Sequence, residues 1–410
     1  MSKIKNRIIE IVILLSVIML LLYSSEPLIY PDSQRYLNVS LHDPPLFSTI
    51  INLMLSIFGS FNSIVIVQTI SIGLGIIYFT KTLTIQFKLD IYIKIIISIF
   101  LFLPIIQFYR HILTEPLSYA FALFFVANVL KLIFKFNYQN LIWVSTFVIL
   151  LLLIRNQFMF LYPVLVIVFS GIYFIYKSKK TLSWLIFSFL SIVILHNAIT
   201  NLGKYINQDT FEKDNLSSNY TGLFFFTYID AIYISSSKDV SLFKNQKIKN
   251  TLSIIFKEMD KQEALKIYYD GRGHYGASMK KIRNYSKPLI LNIASQENNM
   301  VSIKKKISIK LIKENFGEYI KHIFKKFYDS SWLFVFVPFF MLFGSLIGFL
   351  KYKSHFSLII IFISTFTLGN HSIVYLFGRV QPRYFIYTDF ILLIFIFIIF
   401  AGVLNKKKII

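Results

Sequence analysis

The residues best suited to chemistry lie in short polar stretches between long apolar runs. The first stretch holds Asp32 and Ser33, with Arg35 and Tyr36 one helical turn further on. A carboxylate at the edge of an apolar region can accept the proton of an attacking hydroxyl, because low-dielectric surroundings strengthen its interactions. We therefore predict Asp32 as a general base. The alternative is that Asp32 or Ser33 caps a helix that starts there.

The second polar stretch reads Tyr109-Arg110-His111 and then Thr114-Glu115-Pro116. Glu115 is a candidate catalytic residue that would orient a substrate. The alternative is ordinary helix-start chemistry, since acids favour the positive end of the helix dipole and proline suits the first turn.

Arginines recur in the same kind of stretch. Arg379 and Arg383 precede the last apolar run, and Arg110 and Arg155 precede earlier ones. Guanidinium groups bind phosphate bidentately, so we predict a phosphate site with Arg379 and Arg383 first and Arg110 and Arg155 second. For Arg155, the alternative is a side chain that only reaches towards lipid headgroups.

The last stretch also offers His371, Tyr384 and Asp389. His371 is a third catalytic candidate, and Asp389 is predicted to pair with a neighbouring arginine, either for function or as a structural ion pair. The histidines show no HxxH or HExxH spacing, so no metal site is predicted and a divalent cation is the one cofactor left open.

The composition tells which elements must position these residues. Of the 410 residues, 56% are hydrophobic and only 15% are charged, which leaves too little polar surface to cover a water-soluble fold. A helix needs about 20 apolar residues to cross a membrane, so the runs predict an all-α polytopic membrane protein with about ten transmembrane helices. The predicted spans are 8–23, 61–80, 91–108, 116–134, 141–154, 158–176, 182–199, 331–350, 356–374 and 384–404.

Lysines concentrate on alternate loops, which predicts that both termini are cytoplasmic and that the polar stretches face the outside of the cell membrane. The formal charge of +23 is then explained by cytoplasmic loops and contacts with membrane lipids, without nucleic acid. We predict a transmembrane module over 1–199 with a catalytic first outer loop at 24–60, an exoplasmic domain over 200–330, and a second transmembrane module over 331–410.

Two patterns fall in the predicted exoplasmic domain. Residues 301–328 interleave apolar side chains with lysines at helical spacing, which predicts an amphipathic helix on the outer headgroups or, alternatively, a solvated helix packed on its own small domain. Residues 271–276 fit GxGxxG, but a dinucleotide site needs a βαβ unit, so we interpret them as a glycine-rich loop.

The order of these motifs resembles that of the GT-C glycosyltransferases. The motifs are Asp32-Ser33 with Tyr36, Asp43-Pro44-Pro45-Leu46 ahead of an apolar helix, Thr114-Glu115-Pro116, and Arg383-Tyr384 opening the last helix. They are most similar to bacterial members related to protein O-mannosyltransferases and aminoarabinose transferases. Many relatives carry two adjacent acids in the first loop, whereas Ser33 follows Asp32 here.

The resemblance implies a GT-C-like fold and a polyprenyl-phosphate-linked sugar as donor, used on the outer face. It implies that Asp32 is the general base and that the anomeric carbon is inverted, with Arg35, Tyr36, Asp43, Tyr384 and Asp389 in support. The acceptor is a glycan, a lipid or a protein.

Two other functions remain open on the sequence. An O-antigen polymerase would transfer a whole lipid-linked glycan and also carries arginines on outer loops; Asp32 with Pro44-Pro45-Leu46 favours the single-sugar enzyme. A transporter would show charges near mid-bilayer and broken helices in two related halves, and we find neither pattern.

Overall fold

The computed structural model describes residues 10, 13–14, 16–18, 26–29, 31–37, 44–106, 108–206, 224–261, 300–377 and 382–404. Asp43, Arg379 and the glycine-rich segment 271–276 lie outside these residues, as do the side chains of Asp32 and Arg35. The described chain is almost entirely helical, which confirms the all-α class. It divides into two compact units.

The first unit is built from residues within 1–206, 336–370 and 382–410. Its helices, in chain order, are α1 (Pro31–Leu37), α2 (Pro45–Phe58), α3 (Phe61–Phe87), α4 (Ile91–Ile106), α5 (Thr114–Phe134), α6 (Tyr138–Ile154), α7 (Leu161–Tyr176) and α8 (Lys179–Ile206).

The second unit is built from residues within 207–335 and 371–381. Its own helices are α9 (Phe224–Tyr233), α10 (Gln246–Lys261) and α11 (Met300–Glu314). Two helices belong to both units, α12 (Phe316–Tyr352) and α13 (His355–Phe377), and α14 (Ile386–Leu404) completes the first unit.

Among the described residues, six helices are long and apolar enough to cross a membrane, so the chain is a membrane protein. They match six of the ten predicted spans: 62–87, 114–134, 156–176, 179–203, 332–352 and 355–376. The apolar parts of α4, α6 and α14 match three more but are shorter than 18 residues. The number of spans and the side on which the termini lie stay predictions.

The stretch predicted as the first outer loop, 24–60, contains α1 and α2. Pro44-Pro45 begins α2, because proline fits the first helical turn, where its missing N–H costs nothing. Gly59 ends the helix in the left-handed conformation at φ 61°, which glycine adopts without a steric penalty. The ten spans predicted from the sequence do not include the apolar α2.

Among the described helices of the first unit, α3 and α5 make the most extensive contact. A Cβ on Gly75 would lie 3.1 Å from the backbone oxygen of Ala120, so the two helices approach through a small residue. The amide Nε2 of Gln68 donates to the Leu113 carbonyl at 2.9 Å, and the Tyr78 hydroxyl donates to Asn128 at 2.8 Å. The first bond holds the residue that precedes α5, and the second joins the later part of α5 to α3.

The second unit has its own apolar core, formed by α9, α10 and α11. Ile303, Ile307 and Leu311 of α11 are buried in it. The predicted helix over 301–328 is therefore two helices that meet at Asn315, and the apolar face of the first packs inside the protein. This favours the alternative of a helix packed on its own domain. Lys304 and Lys326, assigned to the polar face, are buried as well.

Candidate functional site

A buried carboxylate lies at the start of α5. Glu115 is in the first helical turn, as its alternative role predicts, and only 4% of its side chain is exposed. Its oxygen Oε2 accepts a hydrogen bond from the Thr114 hydroxyl at 3.3 Å. The other oxygen points to cations from distant parts of the chain, so helix capping does not account for the whole side chain.

Two arginines share that second oxygen. Nη1 of Arg155 is 3.1 Å from Oε1 of Glu115, and Nε of Arg383 is 3.4 Å from the same atom. Arg155 directly follows α6, and Arg383 lies in a short 3-10 turn ahead of α14. The structure thus brings together three predicted residues from three separate loops of the first unit.

An aromatic ring completes the arginine pair. The guanidinium carbons of Arg155 and Arg383 lie 4.6 Å and 5.3 Å from the ring centroid of Tyr384, within the range of cation–π attraction. Nη2 of Arg383 donates to the Tyr384 hydroxyl at 3.4 Å. The two cations are therefore held against one flat surface, which limits their rotation.

An amide network fixes the turn that carries Arg383 and Tyr384. Nε2 of Gln157 donates to Oδ1 of Asn370 at 2.6 Å and to the Tyr384 carbonyl at 3.0 Å. Nδ2 of Asn370 donates to the same carbonyl and to Thr388, whose hydroxyl donates to Oδ1 of Asp389 at 3.2 Å. No pattern in the sequence indicates this role of Gln157 and Thr388, because single amides and hydroxyls are common at helix ends.

The charges at this site do not cancel. Two arginines face one carboxylate, so the three side chains carry a net charge of +1. Burial alone would lower the pKa of Arg155, but the Glu115 carboxylate outweighs it and raises that pKa. Burial, with the nearby cation Arg110, lowers the pKa of His111 although Glu115 opposes this, so its ring takes up a proton less readily than a free imidazole does. Taken by themselves, Glu115, Arg155 and Arg383 would attract an anion.

Two hydroxyls beside these charges are buried without a hydrogen-bond partner in the described part of the chain. They are those of Tyr387, one turn into the last helix, and Ser118, one turn after Thr114. The charge of Arg155 acts on the Tyr387 hydroxyl, which places the two groups close together. Buried polar groups normally have partners, so these hydroxyls indicate room for a further polar group.

The first loop reaches the same helix ends through its backbone. The Leu28 amide donates to the Arg110 carbonyl at 3.0 Å, and the Ile112 amide donates to the Leu28 carbonyl at 3.2 Å. Tyr36 of α1 packs in an apolar cluster with Phe47 and with Ile154, the residue before Arg155. The helix whose backbone carries Asp32 thus packs on the segments that carry Glu115 and Arg155.

An apolar pocket in the first unit borders Glu115. Its walls include Pro104, Tyr109, Tyr119 and Ile386. The space inside is about 10 Å³, roughly the room that one water molecule needs. A sugar ring requires these walls to move apart.

The remaining catalytic candidate belongs to the second unit. His371 is fully buried and stacks against Phe334 and Tyr375, with centroid distances of 6.5 Å and 5.7 Å. Within the described residues, no group of three His, Cys, Asp or Glu side chains could hold a metal ion. The divalent cation stays a prediction.

A second buried charge cluster was not expected from the sequence. In the second unit, Oδ1 of Asp230 lies 3.1 Å from Nε2 of His322, and Oδ2 accepts a hydrogen bond from Lys326. Lys326 also donates to the Tyr375 carbonyl at 3.4 Å. Asp230 lies in a short apolar helix and the other two in a lysine-rich one, where charges usually face solvent.

The comparisons with known proteins found no match: no protein-family model, no curated protein and no solved structure resembles the chain.

Proposed function

We propose that the chain is a membrane glycosyltransferase that moves a sugar from a polyprenyl-phosphate donor to an acceptor hydroxyl on the outer face of the membrane. The observation that supports this most is the shared contact of Arg155 and Arg383 with Glu115, against the ring of Tyr384. These residues come from loops that the sequence pattern assigns to one side of the membrane.

The arginines would act on the leaving group. When the bond between the anomeric carbon and the phosphate oxygen breaks, its electron pair goes to the phosphate, whose negative charge grows. Fixed cations in a site of low dielectric stabilise that charge more in the transition state than in the ground state. The surplus positive charge at Arg155 and Arg383 suits this role.

Asp32 would act on the acceptor. Its carboxylate takes the proton of the acceptor hydroxyl as the oxygen forms a bond to the anomeric carbon from the face opposite the phosphate, which inverts that carbon. The backbone pairing of Leu28 with Arg110 and Ile112 supports this role, because it ties the segment before α1 to the loop that leads to Glu115.

The test uses the purified full chain in lipid nanodiscs with a radiolabelled polyprenyl-phosphate sugar and a mixed acceptor extract. Asp32→Asn is expected to lower the transfer rate by about 10²–10⁴-fold, the usual contribution of a general base. Gln34→Ala, an exposed position on the same helix, is the matched control and keeps the wild-type rate. Equal rates for Asp32→Asn and the control would reject the assigned base.

The same assay separates the other two functions. A polymerase would leave the single-sugar donor intact and would consume a lipid-linked oligosaccharide instead. A transporter would move the donor without breaking its lipid linkage.

A further inference from the structure

Glu115 stands where an anionic ligand of the arginines would stand. Nη1 of Arg155 and Nε of Arg383 both lie within ion-pair distance of the same carboxylate oxygen, at 3.1 Å and 3.4 Å. A carboxylate oxygen and a phosphate oxygen are equivalent acceptors for a guanidinium group. The cations of the proposed site are therefore already neutralised in part by a side chain of the protein itself.

The exposed fraction of the Glu115 side chain is smaller than that of Arg155 or Arg383. Glu115 is 4% exposed, whereas Arg155 and Arg383 are 16% and 20% exposed. Both arginine side chains are thus partly exposed, whereas the carboxylate side chain is almost fully buried. We therefore expect an incoming anion to contact the arginines rather than Glu115.

We infer that Glu115 is an internal counter-ion that weakens the binding of phosphate to Arg155 and Arg383. This inference rests on the proposed function only in taking phosphate as the ligand. Glu115 acts through the two arginines and is a positioning residue, not a group that takes part in bond making. Its physical effect is to keep the phosphate product from binding so tightly that release limits turnover.

The narrow pocket beside Glu115 and the Tyr387 hydroxyl agree with such an exchange of partners. The space beside Glu115 holds about one water, so ligand entry requires local movement there. The Tyr387 hydroxyl, which has no hydrogen-bond partner among the described residues, can donate to an anion once it enters. Each guanidinium has five N–H donors, more than the single nitrogen that lies near Glu115 in each arginine.

The inference predicts the sign of one mutational effect. Glu115→Gln removes the negative charge and keeps the shape, so the affinity of the full chain for inorganic phosphate should rise by about tenfold or more. If Glu115 instead held the arginines in a binding geometry, the same variant would bind phosphate more weakly. Isothermal titration in nanodiscs of neutral lipid measures the difference.

The control variant neutralises a different glutamate that also has a cationic partner. Glu318 pairs with Lys321 at 2.7 Å on the surface of the second unit, so Glu318→Gln changes the net charge by the same amount and should leave phosphate affinity unchanged. The double variant Glu115→Gln with Arg383→Gln should lose most of the gain. Should Glu115→Gln fail to fold, Glu115→Asp is measured instead and should show a smaller gain, because its shorter side chain retracts from the arginines.

Unchanged or weaker phosphate binding in the Glu115 variant, or an equal gain in the Glu318 control, would overturn the inference. Inorganic phosphate carries neither sugar nor lipid. A gain in phosphate affinity without any sugar transfer by the wild type would thus reject the proposed function and retain the counter-ion.

Discussion

Two buried carboxylates, one in each unit, have cationic partners but differ in access. Glu115 pairs with Arg155 and Arg383, whose side chains remain 16% and 20% exposed. Asp230 lies between His322 and Lys326, which are 5% and 0% exposed. The two ion-pair clusters thus differ in solvent access: under the proposed function the partly exposed one exchanges partners with a ligand, whereas the enclosed one is shielded from any ligand.

The neighbours of Asp230 in the enclosed cluster favour the ionised form of its carboxylate. Burial alone would raise the pKa of Asp230, but Lys326 and His322 outweigh it and hold that pKa below its ordinary value. The Tyr319 hydroxyl nearby has a pKa of about 12, because burial and the negative charge of Asp230 disfavour its ionised form. The carboxylate therefore stays ionised at a lower pH than an ordinary aspartate does.

The largest effect on the stability of the protein is expected from a change at Asp230, in the enclosed cluster that it forms with His322 and Lys326. Asp230→Asn leaves the Lys326 cation buried without its counter-ion, which should lower the free energy of unfolding by about 3–5 kcal/mol. Thermal unfolding of the full chain in detergent micelles measures the loss. A variant as stable as the wild type would mean that the two clusters do not differ as described.

The pH dependence follows from the lowered pKa of Asp230. A depressed folded-state pKa gives stability that is present above the unfolded value, about 3.9 for aspartate, and lost as the pH falls through the folded value. The stability difference between wild type and Asp230→Asn should therefore shrink only in strongly acidic solution. A difference that already vanishes near pH 6 would contradict this.

The second-largest effect is expected on the rate of sugar transfer, from a change at Arg383 in the cluster with Glu115 and Arg155. Arg383→Ala removes one donor to the developing phosphate charge, so sugar transfer should fall by about 10²–10³-fold. Because the Arg383 side chain is partly exposed, its loss should affect unfolding less than Asp230→Asn does. The transfer rate and the melting temperature are measured for both variants. If Arg383→Ala lost as much stability as Asp230→Asn, the difference between the two clusters would be refuted.

The smallest effect is expected at an exposed pair. Lys321 lies 2.7 Å from Glu318, with 74% and 60% of the two side chains exposed. Water screens such pairs, so Lys321→Ala should change the free energy of unfolding by less than about 0.5 kcal/mol. A larger loss in the same thermal assay would show that this pair is less solvated than its exposure indicates.

Charge and sidedness in the sequence were enough to select Glu115, Arg155, Arg383 and Tyr384 as candidates. They were not enough to show that one oxygen of Glu115 receives both arginines, because that depends on how three loops approach one another. The sequence does not indicate that Asp230 is buried, because an acid in a short helix is expected to face solvent unless its neighbours in the fold are known.

The lysine-rich helix pattern was also only partly informative. Its periodicity located helical structure over 301–328, yet the break at Asn315 and the burial of Lys326 follow from packing within the second unit. Periodicity shows that a face exists but not which partner covers it. The apolar face of α11 turned out to be covered by α9 and α10.

Two hydrogen bonds between main-chain atoms connect Leu28 with the segment at 110–112. Leu28 gives its amide to the Arg110 carbonyl and receives the Ile112 amide on its own carbonyl. Any residue with a backbone N–H can make these two bonds, so the bonds themselves do not depend on which side chain stands at 28. Ile112 is in addition fully buried in the apolar cluster around Tyr36, so its side chain also matters for packing. Proline is the exception, because it has no N–H to give; at either position it would detach the segment ahead of Asp32.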